Sequence, residues 1–253
     1  MMEPSRLEGV IDELRQVRER ALVQAPVERV VEAVDQVARR LLDPSDSLRA
    51  GLLPAMEEES GYSSPMARTV LEGMARDWTR EALEGLLASE FPDPRVLDRF
   101  CPAPRGGMVR ALGYPLTFHL GAGTVPGVAT TSLVRALLVK SASLLKPALG
   151  DRALPQAFYR GLREADPELA RAVAVHYWPG EEGWPLTRVA LGRADLVVVY
   201  GADETVARVR EALPVTTRLV AYRHRLGLGL VGRAALEGPR PEGGGSLART
   251  VAE

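Results

Sequence analysis

The 253-residue sequence predicts an α/β protein, a parallel sheet with helices on both faces preceded by a helical N-terminal layer. Three observations carry this expectation. Up to about residue 90 the apolar residues recur at helical spacing, whereas from residue 116 onward short apolar runs alternate with helix-period segments. The run LVVVY at 196–200 is nearly all β-branched and apolar, as a strand covered on both faces must be. The stretch 117–147, TFHLGAGTVPGVATTSLVRALLVKSASLLKP, reads as strand, glycine-rich turn, helix, strand.

Taken in order, residues 5–42 predict two helices, with Leu7, Val10, Ile11, Leu14 and Val17 on one stripe and Val27 to Leu42 on a second. Pro26 marks a start, and Asp43 with Pro44 a stop. Further helices are expected over 47–58 and 65–89, separated by SGYSS. The segment 91–107, FPDPRVLDRFCPAPRGG, is dense in proline and reads as a connector, so a domain boundary is placed near residue 100. A hairpin is expected next, 108–112 with 116–120, turning at Gly113, Tyr114 and Pro115. The α/β part then continues through a helix at 154–165, a strand at 172–177, a helix at 186–191, a strand at 195–200, a helix at 204–213, and strands at 218–222 and 227–231. EGPRPEGGGS at 237–246 reads as a linker, and LARTVAE at 247–253 as the start of a helix. The expected domains are thus 1–100, helical; 101–236, α/β; and 237–253, a linker leading towards a further domain.

Composition narrows the function. A net charge of −1 predicts no bulk attraction to nucleic acid or to an anionic membrane. No apolar run is long enough to span a bilayer, and the start MMEPSRLEGVIDELR lacks a signal peptide's apolar core. The single cysteine, Cys101, rules out an internal disulfide and fits a reducing cytosol, so a cytoplasmic location is expected. His119, His176 and His224 have no short ligand spacing; each reads as a sheet-edge histidine bonded to backbone, and no metal site is expected.

Of the 32 basic residues, 30 are arginine and two are lysine, Lys140 and Lys146. Where arginine is the default cation, a lysine stands out for its compact ammonium. Lys140 ends a helix, where a cation meets the dipole favourably. Lys146 ends a strand, which helix termination does not explain.

The turn at 121–127 presents a helix N-terminus at a sheet edge, where free amides and the helix dipole favour an anion such as a pyrophosphate. Its glycines, Gly121, Gly123 and Gly127, depart from the G-x-G-x-x-G spacing because Pro126 intervenes and the third comes one residue late. The glycines alone are equally consistent with a plain tight turn.

The series GYSSPMARTVLEGM, FHLGAGTVPGVATTSLVRALLVKSASLLKP, VAVHYWPG, ADLVVVYGADET and RLVAYRHRLGLGLVG, in that order, resembles the acyl-CoA reductase family of the aldehyde dehydrogenase superfamily, whose members include the fatty-acid reductases that supply aldehyde to bacterial luciferases. The resemblance covers about residues 60–253. It implies a Rossmann-like, aldehyde dehydrogenase-like cofactor domain, followed in that superfamily by a catalytic domain with a cysteine nucleophile. Gly121, Gly123, Thr124, Val125, Pro126, Lys146, Pro147 and Gly201 fall on the cofactor-binding positions, and Lys146 stands where the superfamily's lysine reaches the adenosine ribose. NAD-preferring relatives often place a glutamate three positions on; here it is Leu149, so NADP(H) is favoured, with NAD(H) still open. Arg152 is a candidate phosphate partner or a solvated helix-start arginine. Thr124 matches the family's oxyanion-donor asparagine. Its hydroxyl sits on a shorter arm, and loss of such a donor costs roughly a hundredfold or more in rate. Gly201 matches a second glycine motif, but Val206 replaces its second glycine, and Asp203 with Glu204 reads as capping the helix.

The implied chemistry is acyl transfer from coenzyme A to a cysteine, then hydride transfer from NADPH to give the aldehyde. Cys101 precedes the cofactor positions and reads as a packing residue, so the expected enzyme is incomplete in this chain. The run LGLGL at 226–230 lacks the glutamate with which hydrolytic relatives activate water, in keeping with a reductase. Expected partners are an acyl-CoA substrate, a separate catalytic chain and further copies of this chain. Two alternatives stand beside this reading: a nucleotide-binding or scaffolding subunit without catalysis, and a diverged glutamyl-phosphate reductase-like oxidoreductase.

Overall fold

A computed structural model describes residues 2–123 and 125–223. The strand expected at 227–231, the linker, the final helix start and His224 lie outside the described residues.

The N-terminal layer is helical throughout. Helix α1 (Pro4–Arg18) continues through a π-helical stretch, Glu19–Val23, into α2 (Val27–Leu42), α3 (Ser47–Ser60), α4 (Ser64–Asp77) and α5 (Arg80–Glu90). The single helix expected at 65–89 is two. The buried Asp35 carboxylate accepts the Arg80 amide at 2.7 Å and so starts a new helix where the chain turns at Trp78 and Thr79. Trp78 is wholly buried, meets Phe158 edge-on at 5.3 Å and donates to Thr131 Oγ1 at 3.0 Å. The helical layer and the sheet thereby share one hydrophobic core.

The rest alternates strand and helix: β1 (Cys101–Pro102), β2 (Met108–Val109), β3 (Leu116–Leu120), α6 (Val128–Leu138), β4 (Ala142–Lys146), α7 (Ala153–Ala165), α8 (Pro167–Ala170), β5 (Val173–Val175), α9 (Trp184–Arg193), β6 (Leu196–Tyr200), α10 (Asp203–Ala212) and β7 (Arg218–Tyr222). Five strands form a wholly parallel sheet in the order β5-β4-β3-β6-β7. Helices α1 and α9 pack on one face, α6 and α7 on the other. Every residue of β3 and β4 is buried, as expected for strands covered on both faces.

The hairpin expected at 108–120 does not form. Met108–Val109 pairs instead with Cys101–Pro102 in a separate antiparallel ribbon, and Leu116–Leu120 enters the middle of the parallel sheet. A strand buried along its whole length has no place in a surface hairpin. Gly113 serves a different need, for a Cβ there would lie 1.8 Å from the Val139 carbonyl oxygen. Glycine lets two backbones pass, and Arg18 clamps the crossing by donating to the Gly113 and Lys140 carbonyls at 2.9 Å each.

Lys140 also departs from expectation. It adopts a left-handed backbone, φ 61°, just beyond α6, and its side chain is buried. Its ammonium donates to the Ala25 carbonyl at 2.6 Å and pairs closely with Asp98. It ties the end of the first helical segment and the connector to the α6–β4 turn, rather than serving the helix dipole. Replacing Lys140 by methionine leaves the Asp98 carboxylate and that carbonyl without their cation, so denaturant unfolding is expected to lose about 3 kcal/mol. A loss below about 0.5 kcal/mol would restore the dipole reading.

Candidate functional site

The sheet changes direction of winding beside β3. From β3 the chain crosses to β4 on one side, and later returns to β6 on the other. Loops leaving two neighbouring strands in opposite directions open a crevice beyond their carboxyl ends. The register puts those ends level, with Leu120 opposite Lys146 on β4 and Val199 on β6. A crevice of about 270 Å³ lies there, lined by Gly121, Lys146, Trp184, Tyr200, Gly201 and Arg208 among others.

Gly121 is set by packing. Its amide donates to the Lys146 carbonyl at 3.0 Å, and a Cβ would lie 3.1 Å from that of Ala129 on α6. Any larger residue would push the helix from the strand. Lys146 ends β4 with 8% of its surface exposed. Among the described residues its ammonium makes no hydrogen bond and no ion pair; it lies 5.8 Å from the Tyr177 ring centroid and 6.0 Å from that of Trp178. Burial pushes its pKa below the usual lysine value. A half-desolvated ammonium facing a crevice with only ring faces beside it is suited to an oxygen-rich or anionic ligand.

The remaining sequence candidates divide. Gly201 lines the crevice and precedes α10, whose capping residue is Ala202. Asp203 and Glu204 occupy the first turn, but no side chain caps the helix, and Asp203 lies 3.9 Å from Arg223; the capping expectation is corrected to this extent. Gly123, Val125, Pro126 and Pro147 do not line the crevice. Gly123 packs against Ala148 and Gly150, Val125 is exposed, and Pro126 and Pro147 are buried. Thr124 lies outside the described residues.

At the end of the glycine turn, Gly127 has φ +92° and its amide donates to Asp151 Oδ2 at 3.1 Å. The amide that the sequence offers to an anion is therefore already held by a side chain. Asp151 is 2% exposed, and among the described residues its other oxygen has no partner. Burial, with the nearby Glu59 charge adding to it, raises its pKa to about 7 against the opposing bond from Gly127. Arg152 does not reach the crevice; it pairs with Glu59 at 3.1 Å, and the same carboxylate accepts the Arg152 and Ala153 amides at 2.7 and 2.8 Å, starting α7. Leu149 is exposed.

His119 is not a sheet-edge residue. It sits in the central strand, wholly buried between the Ser132 and Ser143 hydroxyls at 2.9 and 3.3 Å, and burial lowers its pKa to about 3. It stays neutral at any ordinary pH. His176 follows β5 at the sheet edge, and its main-chain amide donates to the Leu145 carbonyl at 3.0 Å, a bond that does not involve its ring. No cluster of metal-ligating side chains occurs among the described residues. Cys101 is buried in the β1–β2 ribbon, away from the crevice-lining residues.

With this geometry in view, comparison with known proteins is decisive at the family level: the model of the family described as Acyl-CoA reductase (LuxC) matches residues 22–252. The chain belongs to the acyl-CoA reductase (LuxC) family. It is 28% identical over 182 residues to the long-chain acyl-protein thioester reductase of Aliivibrio fischeri, covering 70% of this chain and 38% of that protein. To the enzyme of the same name from Vibrio harveyi it is 27% identical over 149 residues, covering 58% of this chain and 31% of that protein. The chain thus spans less than half the length of the curated relatives it matches.

Among solved structures, an NAD-dependent benzaldehyde dehydrogenase from Corynebacterium glutamicum superposes with a TM-score of 0.70 at 16% identity, over 88% of this chain and 47% of that one. An NADP-dependent glyceraldehyde-3-phosphate dehydrogenase from Bacillus halodurans, complexed with NADP, gives 0.67 at 14% identity, over 87% and 44%. These likenesses show an aldehyde dehydrogenase-like fold.

Sequence reasoning did not find Trp184 and Arg208 in the crevice wall. They lie 24 positions apart on different helices, and no local spacing relates them. Asp151 was missed as well; its only signal is an acid just before a helix start, which is ordinary.

Asp151 yields a pH prediction. The folded chain keeps its proton up to about pH 7, whereas the unfolded chain loses it near the ordinary value of 3.8. The acid's contribution to stability is complete below the lower value and disappears as pH rises through the higher one. Unfolding free energy should therefore decline across that window and then level off, and Asp151→Asn should remove this part of the decline. Parallel slopes for the two proteins in urea titrations at stepped pH would refute the assignment.

Proposed function

We propose that this chain is the NADP(H)-binding portion of a reductase that converts an acyl thioester, acyl-CoA in the first instance, to the aldehyde. The observation that carries the reading is Lys146, a buried ammonium without a counter-charge among the described residues, beside β3 where the strand order opens a crevice. Such a cation costs stability unless a ligand meets it, and a nucleotide's ribose and phosphate oxygens are suited to do so. When bound, NADPH would supply the hydride that reduces the thioester. The chain's own residues bind and orient: Gly121 lets α6 pack close against the end of β3, Lys146 supplies the cation, and the aromatic residues Tyr177 and Trp178 keep water from its flank.

Leu149 places no carboxylate beside the site, which supports NADP(H) over NAD(H). The Gly127 amide already has Asp151, and α10 opens with two acids, so the usual amide contribution to phosphate affinity is reduced and binding should be weak. Cys101 is the chain's only thiol and is buried in the ribbon, so the nucleophile for acyl transfer belongs to a partner chain or to a further domain. That division is consistent with a cytoplasmic enzyme assembled from more than one copy or chain. Among the described residues no helix is long and apolar enough to cross a membrane.

The test separates binding from folding. NADPH should bind the purified chain in calorimetry, and Lys146→Met should weaken it at least about tenfold while leaving thermal stability unchanged or raised, because an unpaired buried charge is removed. With an acyl-CoA present the chain should leave NADPH absorbance constant. Unaltered affinity in Lys146→Met would overturn the site, and steady NADPH oxidation would overturn the need for an outside thiol. No heat with NADPH would leave only the scaffolding reading.

A further inference from the structure

Arg208 is the second cation that lines the crevice. Its guanidinium carbon lies 4.0 Å from the centroid of the Trp184 ring, the closest cation–ring approach among the described residues. It donates to Glu181 Oε1 at 2.6 Å. All three residues line the crevice that holds Lys146. Lys146 ends β4 and Arg208 follows β6 on α10, so the two cations reach the crevice from opposite sides of β3.

Each contact has a consequence. The indole face holds the guanidinium over it, which reduces the side-chain freedom still to be lost when a ligand arrives. The partner carboxylate is weakly committed: Glu181 is 84% exposed and Arg208 40%, and an ion pair so open to water contributes little. A phosphate dianion carries more charge and more acceptor oxygens than a carboxylate, and the planar fork of arginine matches it. Arg208 is thus oriented by a ring face and occupied by a replaceable ion pair. Arg152, the arginine that sequence alone offered for this task, has the reverse setting, because its carboxylate is shared with two backbone amides and anchors a helix.

We propose that Arg208, laid on Trp184 and released by Glu181, is the residue that reads the 2′-phosphate of the dinucleotide and so sets the preference for NADP(H) over NAD(H). The proposal rests on the reading of the crevice as a dinucleotide site. In it Lys146 serves both nucleotides and Arg208 only the phosphorylated one. Glu181 is then a competitor, an intramolecular anion that lowers affinity for the 2′-phosphate without touching a ligand that lacks it.

Binding of 2′,5′-ADP and of 5′-AMP, measured by calorimetry on the full chain, tests the assignment without any turnover. The unaltered chain should prefer 2′,5′-ADP by about tenfold or more. Arg208→Gln should abolish the preference while 5′-AMP affinity stays within about threefold. Glu181→Gln, a change at an exposed site that folding should tolerate, should tighten 2′,5′-ADP by about threefold and leave 5′-AMP alone. If both ligands bind the unaltered chain and neither variant moves their ratio, or if Arg208→Gln weakens both equally with unchanged thermal stability, Arg208 is not the reader. If Arg208→Gln proves unstable, the Glu181→Gln arm decides, and an unmoved ratio there overturns the proposal. Failure of both ligands to bind the unaltered chain removes the dinucleotide reading itself, and this inference with it.

Discussion

Everything at the site depends on β3 being paired on both sides in parallel, with its carboxyl end level with those of β4 and β6. Parallel neighbours require long crossovers, and crossovers that depart in opposite directions cannot close over the strand they leave. The crevice is therefore a product of topology before any side chain is considered. Packing around β3 relies on two glycines: Gly121 admits α6 close against the strand, and Gly113 lets the incoming backbone pass Val139 on its way into the sheet. A side chain at either position would force the neighbouring backbone or helix to shift.

Within that frame the electrostatics are divided. Helix termini are the ordinary source of anion affinity in such folds, yet the Gly127 amide at the start of α6 donates to a buried aspartic acid, and α10 begins with Asp203 and Glu204. Positive character comes instead from side chains, Lys146 on one wall and Arg208 on the other. Side-chain cations are more selective than amides, since each can be placed against one feature of a ligand. They are also more costly to hold ready, as the depressed pKa of Lys146 shows. Asp151 follows the same logic with opposite sign, a carboxyl that burial keeps protonated close to neutrality, so that it accepts one amide without placing a full charge beneath the turn.

Much of this architecture was legible in the sequence. Alternation of periods gave the parallel sheet, LVVVY a strand with a buried centre, and the ordered motifs the family, because each of these signals is local and repeats. The failures share a cause. The hairpin at 108–120 was inferred from a glycine and a proline between two apolar runs, but Gly113 answers a contact with Val139, 26 residues away. The break between α4 and α5 rests on Asp35, 45 residues from the amide that it accepts. His119 looked like an edge residue because its serine partners are 13 and 24 positions distant. Of the residues that line the crevice, Gly121 stands out in the local glycine pattern, Lys146 by the rarity of lysine and Gly201 through the family resemblance, whereas the pairing of Trp184 with Arg208 exists only once two crossover helices are folded against the same sheet.

The two lysines in a chain of 30 arginines show how composition and structure inform one another. Lys140 sits where a carbonyl and a carboxylate converge on one buried point, reached from a left-handed backbone. A guanidinium there would present a broad plane to a site built for a small sphere, and its outer nitrogens would be left without acceptors. Lys146 has the same compact charge with the opposite surroundings: ring faces on one flank and open crevice on the other. Arginine could stack on those rings and hold itself in place, as Arg208 does on Trp184; an ammonium leaves its three donors directed at whatever enters. The first lysine is satisfied by the fold, whereas the second has only ring faces beside it among the described residues, and that difference, more than the rarity of lysine, is what sets Lys146 apart.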